Sequence, residues 1–139
     1  MDNFILTEKK ITNTELETFE QEIGLTLPES YKKHILKYNG GTPEEKDCFD
    51  EKVIAHFYPI KYGKYPLEKS YKTLKDSLPQ DFLNFAYDEG GNPFCLNLKS
   101  GKDYGKVYFC ALDEGDVEAE LLADSFKEFM DGLEEDPDF

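Results

Sequence analysis

Arginine is missing from the chain: all 16 basic residues are lysines, set against 30 aspartates and glutamates, for a formal charge of −14. Without guanidinium forks the sequence lacks the usual grip on phosphate or carboxylate, and a field of this sign repels nucleic acid and anionic lipid. Cysteine is scarce and odd in number, since Cys48, Cys95 and Cys110 form no C-x-x-C pair and no even disulfide framework. No apolar run approaches the ~18 residues that a membrane-spanning helix needs. The opening stretch from Met1 to Lys10 has no basic start, apolar core and small-residue cleavage site in succession. These absences predict a reduced, cytoplasmic protein that binds neither nucleic acid nor membrane.

Reactive constellations are absent too. His34, His56 and the three cysteines show none of the spacings of a zinc site, so no metal is expected. There is no G-x-S-x-G elbow, P-loop, G-x-G-x-x-G or H-E-x-x-H, so no catalytic residue and no cofactor site is assigned. Asp88-Glu89-Gly90-Gly91-Asn92 lacks the alternate ligand positions of a calcium loop and reads as a hairpin turn supplied with glycines. Carboxylates are abundant, but abundance in an acidic chain does not place an acid opposite a base.

What is present is a foldable apolar set: 139 residues, 39% hydrophobic, with 11 Phe and 9 Tyr. That length suits one domain over residues 1–139. Thr12 and Glu15 form a capping box ahead of Leu16, Phe19 and Ile23, and Gly24 stops that helix. Pro28 suits the first position of a second helix carrying Tyr31, Ile35 and Tyr38 and ended by Asn39-Gly40-Gly41. Residues 42–52 carry five acids, two lysines and a proline and read as an exposed loop before a strand, Val53 to Tyr58. A weaker helix holds Leu67, Tyr71, Leu74 and Leu78, and Pro79 closes it.

From Phe82 to Leu122 the apolar period changes to two, which predicts a strand meander. A hairpin symmetric about Lys102 and Asp103 pairs Phe94 with Ala111, Leu96 with Phe109 and Leu98 with Val107, and sets Cys95 opposite Cys110. Facing thiols allow a disulfide, yet buried reduced cysteines are also ordinary packing residues. Asp124 caps a last helix with Phe126, Phe129, Met130 and Leu133 on one stripe, and residues 134–139 are expected to fray. The fold class predicted is α+β, with helices packed around a central, mostly antiparallel sheet.

Charge is unevenly spread. Residues 113–139 contain 12 acids and a single lysine, Lys127. A second acidic group is Glu44, Glu45, Asp47, Asp50 and Glu51. Such asymmetry steers a cationic partner, although acidity also serves solubility alone.

Three segments carry a family likeness. They are Gly24-Leu25-Thr26-Leu27-Pro28-Glu29-Ser30-Tyr31 running on to Tyr38-Asn39-Gly40-Gly41, the block Phe85 to Asn97 around Gly90-Gly91-Asn92-Pro93, and Gly105-Lys106-Val107-Tyr108-Phe109 with Ala123 to Met130. In this order and spacing the chain resembles the SUKH superfamily of bacterial immunity proteins and Smi/Knr-type cell-wall regulators. The resemblance implies a SUKH-like α+β domain without catalytic residues which, in bacterial members, neutralises a cognate toxin, often a nuclease. A basic toxin matches the negative charge. The residues expected to bind it are Glu44, Glu45, Asp47, Asp50 and Glu51 with Asp113, Glu114, Asp116, Glu118 and Glu120, around exposed aromatics such as Tyr58 or Tyr62. The alternative is an intracellular regulatory or scaffold domain that binds a resident protein.

Overall fold

Thr12 opens the first helix with both halves of its capping box: its Oγ1 accepts the Glu15 N–H at 3.1 Å, and the Glu15 carboxylate accepts the Thr12 N–H at 2.9 Å. This computed structural model describes residues 3–112 and 117–136. Helix α1 spans Asn13–Ile23 and ends at Gly24, whose φ of 70° is left-handed. Helix α2 spans Glu29–Lys37, α3 spans Leu67–Leu74 and α4 spans Phe126–Asp131. Two caps differ by one residue from expectation. Pro28 sits at the N-cap of α2, and Ser125, not Asp124, caps α4 by accepting the Glu128 N–H at 3.0 Å.

The strands are β1 (Phe4–Ile5), β2 (Thr42–Pro43), β3 (Lys46–Phe49), β4 (Lys52–Val53), β5 (His56–Phe57), β6 (Phe82–Tyr87), β7 (Pro93–Asn97), β8 (Val107–Cys110), β9 (Ala119–Ala123) and β10 (Glu134–Glu135). They form three antiparallel sheets: β1-β2, β10-β3-β4, and the central β5-β6-β7-β8-β9. The fold is α+β, with helices around an antiparallel sheet. The run Val53 to Tyr58 is not one strand, because it leaves one sheet for another. Ile54 N–H still donates to Asp47 C=O, whereas Ala55 N–H donates to Tyr87 C=O, both at 2.8 Å.

The meander is present, with its second hairpin shifted by two residues. Phe94 faces Phe109, Cys95 faces Tyr108 and Leu96 faces Val107. An even shift preserves the faces, so the side expected to be core is core. Phe94, Leu96 and Val107 join Phe19, Tyr31, Ile35, Phe57, Phe85, Phe126 and Phe129 in the main cluster. On the other face Cys95 and Cys110 pack with Leu78 and Phe82. Both thiols are free and buried. Cys95 is pushed well up by burial and by donating to Cys110, whose own value is lowered by accepting that hydrogen bond.

Asn39 ties the helical half to the connection before α3. Its Oδ1 accepts the Ile60 N–H at 2.7 Å, and its Nδ2 donates to the carbonyls of Lys9 and Ile60 at 2.8 and 2.9 Å. The adjoining Gly41, at φ 98°, admits β1: a Cβ there would lie 2.5 Å from the Ile5 carbonyl oxygen. At the other glycine pair, the Asp88 carboxylate is spent on the turn, accepting the Gly90 and Asn92 N–H groups at 3.0 and 2.8 Å. That is the hairpin turn read from the sequence.

Candidate protein-binding face

Residues 42–52 are structured where a loop was expected. β3 and β4 make a hairpin whose two turn residues, Asp50 and Glu51, both have positive φ, 49° and 67°. This handedness suits a two-residue hairpin, although neither residue is glycine. Phe49 anchors the hairpin by stacking on Phe129 of α4 with ring centroids 4.9 Å apart. Gly132 makes room for it, since a Cβ there would come within 2.7 Å of the Phe49 ring.

The chain end completes this sheet. Glu134 pairs with Cys48 and Glu135 with Lys46, so these residues form a strand and do not fray. Their sequence offers no apolar alternation, and the pairing rests on Leu133, which is buried in the main cluster just before them. The expected tail residues 137–139 lie outside the described residues.

Lys52 links this sheet to the central one. Its ammonium lies 3.0 Å from the Glu120 carboxylate of β9, 3.9 Å from Asp50, and 5.5 Å from the centroid of the Phe109 ring. Thus the structure brings together two groups of acids that are about seventy positions apart in the chain. Glu44, Glu45, Asp50, Glu51, Glu118 and Glu120 are exposed and Asp47 is half-buried. Asp113, Glu114 and Asp116 lie outside the described residues. The segments 44–52, 118–120 and 134–136 together carry ten acids against two lysines, Lys46 and Lys52. Glu134, Glu135 and the tie through Lys52 were missed, because strand pairing across such distances leaves no local pattern.

The aromatic anchors suggested from sequence are engaged elsewhere. Tyr62 is half-buried and donates to Glu15 at 2.9 Å, with the Lys9 and Lys61 ammoniums over its ring. Tyr58 is half-buried with its ring 4.9 Å from that of Tyr87. Among the described residues the exposed large apolar side chains are instead Ile5, Leu6, Tyr65 and Leu121. Leu121, 49% exposed, stands on β9 directly opposite Tyr108.

Cys48 is the thiol inside the acidic sheet. Burial first, then the nearby charges of Asp136, Asp47 and Glu134, push it above the usual thiol value, so at neutral pH it keeps its proton. His56 accepts from or donates to Thr42 Oγ1 at 3.1 Å, and burial lowers its affinity for a proton. Among the described residues, no group of three or more His, Cys, Asp or Glu side chains is placed to share a metal ion. No helix among them is long and apolar enough to cross a membrane. What the face offers chemically is a field of carboxylates on a hairpin and a strand.

The model of the SMI1 / KNR4 family (SUKH-1) matches residues 10–132. The chain belongs to this family. The matched span reaches from just before α1 to the end of α4 and so includes the hairpin, the central sheet and β9. The chain is also similar to the SPbeta prophage-derived uncharacterized protein YokK of Bacillus subtilis (strain 168). The two are 29% identical over 150 residues, covering 91% of this chain and 76% of that protein.

Proposed function

We propose that this chain is an immunity protein that binds a cognate, basic toxin of nuclease type and blocks it without catalysing a reaction of its own. The observation that carries the reading is the acidic face just described, on which Lys52 ties the β3–β4 hairpin to β9. A toxin that must hold a phosphate backbone is basic, and a negative surface complements it in sign and speeds the encounter. Membership of the SUKH-1 family supports a protein-binding role, since bacterial members neutralise toxins. The prophage origin in the name of the similar Bacillus protein supports a setting of competition between mobile elements and strains. The proposed site of action is the cytoplasm, where such a toxin meets its substrate, with residues 1–139 acting as one domain and no cofactor or metal taking part.

The test is co-expression with the protein encoded by the adjacent reading frame. The expected result is restored growth and a complex that co-purifies and dissociates as salt is raised. A neighbour that is harmless, or toxic but neither bound nor neutralised, would sink the proposal. A growth defect on deleting this gene alone would then favour regulation of a resident protein.

A further inference from the structure

Strand β9 closes the central sheet at one end and has no strand on its outer side among the described residues. It is five residues long, Ala119–Ala123, whereas β1, β2, β4, β5 and β10, at the other outer positions among the described residues, have two each. The opposite edge, β5, is also partly covered by a bridge between Gly41 and Phe57. An open edge presents backbone donors and acceptors that another extended segment can satisfy. We infer that the outer edge of β9 is the docking site for an extended basic segment of the partner, added as a further strand of the central sheet. This inference rests on the immunity reading for the identity of the partner.

Side chains select the occupant. Glu120 shares the face of Phe109, its opposite residue, and the exposed Glu118 lies just before the strand, two positions earlier. Ala119 and Leu121 point to the other face, opposite Cys110 and Tyr108. Past Leu121 a register shift breaks the regular ladder, so the usable edge is the stretch that carries this alternation. A matching strand alternates cation and apolar side chain, setting its cations beside Glu118 and Glu120 and its apolar groups beside Leu121. A second copy of this chain fits poorly, because antiparallel pairing about this stretch brings glutamates against glutamates.

The probe is a synthetic peptide of alternating lysine and valine, compared with a blocked-order peptide of the same composition and with one N-methylated on alternate amides. Hydrogen exchange on the full chain should show new protection confined to Ala119–Leu121. Both comparison peptides should bind at least about tenfold more weakly, because order and free amides are what a strand needs. Equal affinity for all three peptides, or protection elsewhere, overturns the inference. So does a concentration-dependent dimer that Leu121→Lys abolishes, for then a second copy occupies the edge. If the toxin is neutralised while β9 exchanges freely in that complex, the edge is wrong and the immunity reading stands. If the peptide pairs with β9 but no neighbouring toxin is neutralised, the edge is right and the immunity reading fails.

Discussion

A histidine packed among aromatic rings makes stability depend on pH. The His34 ring lies 4.7 Å from Phe4, 5.3 Å from Phe57 and 5.4 Å from Phe126, and its Nε2 is buried without a partner. Burial, helped by the Lys37 charge, lowers its pKa from 6.5 to about 4. The unfolded chain therefore takes up a proton first as pH falls. Stability is whole above the unfolded value and is lost between about pH 6.5 and 4, by about 3 kcal/mol at full linkage. Urea unfolding of His34→Phe should show a shallower loss between neutral pH and pH ~4.5 than the parent, by about 2 kcal/mol. Parallel curves for the two proteins would assign the effect to other groups. Asn39 matters through hydrogen bonding alone. Asn39→Ala leaves the Ile60 N–H and two carbonyls without their partner, two of these bonds being fully buried, and should cost about 3 kcal/mol in the same measurement. A cost below about 1 kcal/mol would show that water replaces the amide.

At the scale of elements, the β3–β4 turn holds Asp50 and Glu51 in left-handed backbone, which disfavours side chains with a Cβ. Glu51→Gly should raise stability by about 0.5–1 kcal/mol, since relief of that strain outweighs the added freedom of the unfolded chain. An unchanged or lower urea midpoint would mean that Glu51 contributes a compensating interaction. Legibility followed the range of the interactions. The α1 cap, the Gly24 stop and the stripes of α2 and α4 depend on neighbours within a turn or two, and Thr12, Leu16, Phe19 and Tyr31 announce them. The period-two meander was equally plain. Its register was not, because the loop from Leu98 to Lys106 closes by its own hydrogen bonds, among them Gly105 N–H to Asn97 C=O at 2.7 Å, and not about the point of symmetry. Among the two-residue strands, β5 fell inside the run read as a strand, Val53 to Tyr58, whereas β2 and β10 could not be read. Glu134-Glu135 is a strand because β3 is beside it, a fact that no window of sequence contains. Glu44, Glu45, Asp50, Glu51, Glu118 and Glu120 were named from charge alone, whereas Glu134, Glu135 and the assembly through Lys52 were not.

At the scale of the whole molecule the question is whether total charge or its placement guides the partner. A net charge of −14 attracts any cation from a distance, but beyond a Debye length, ~8 Å at physiological salt, it is largely screened. Placement then decides. Glu44, Glu51 and Glu118 are exposed on the candidate face, whereas Glu17, Glu22 and Asp76 are exposed on α1 and on the turn that follows α3. Lysine replacement of either trio changes the net charge equally. If the face steers binding, the first triple variant should associate with the toxin about tenfold or more slowly near 50 mM salt and show a flatter salt dependence. The second should lose much less, and both should keep the parent thermal midpoint within a few degrees, since exposed charges contribute little to stability. Stopped-flow association across a salt series separates the cases. Equal slowing by the two trios would mean that the partner senses only the overall field, and that the gathering of acids around Lys52 has no part in recognition.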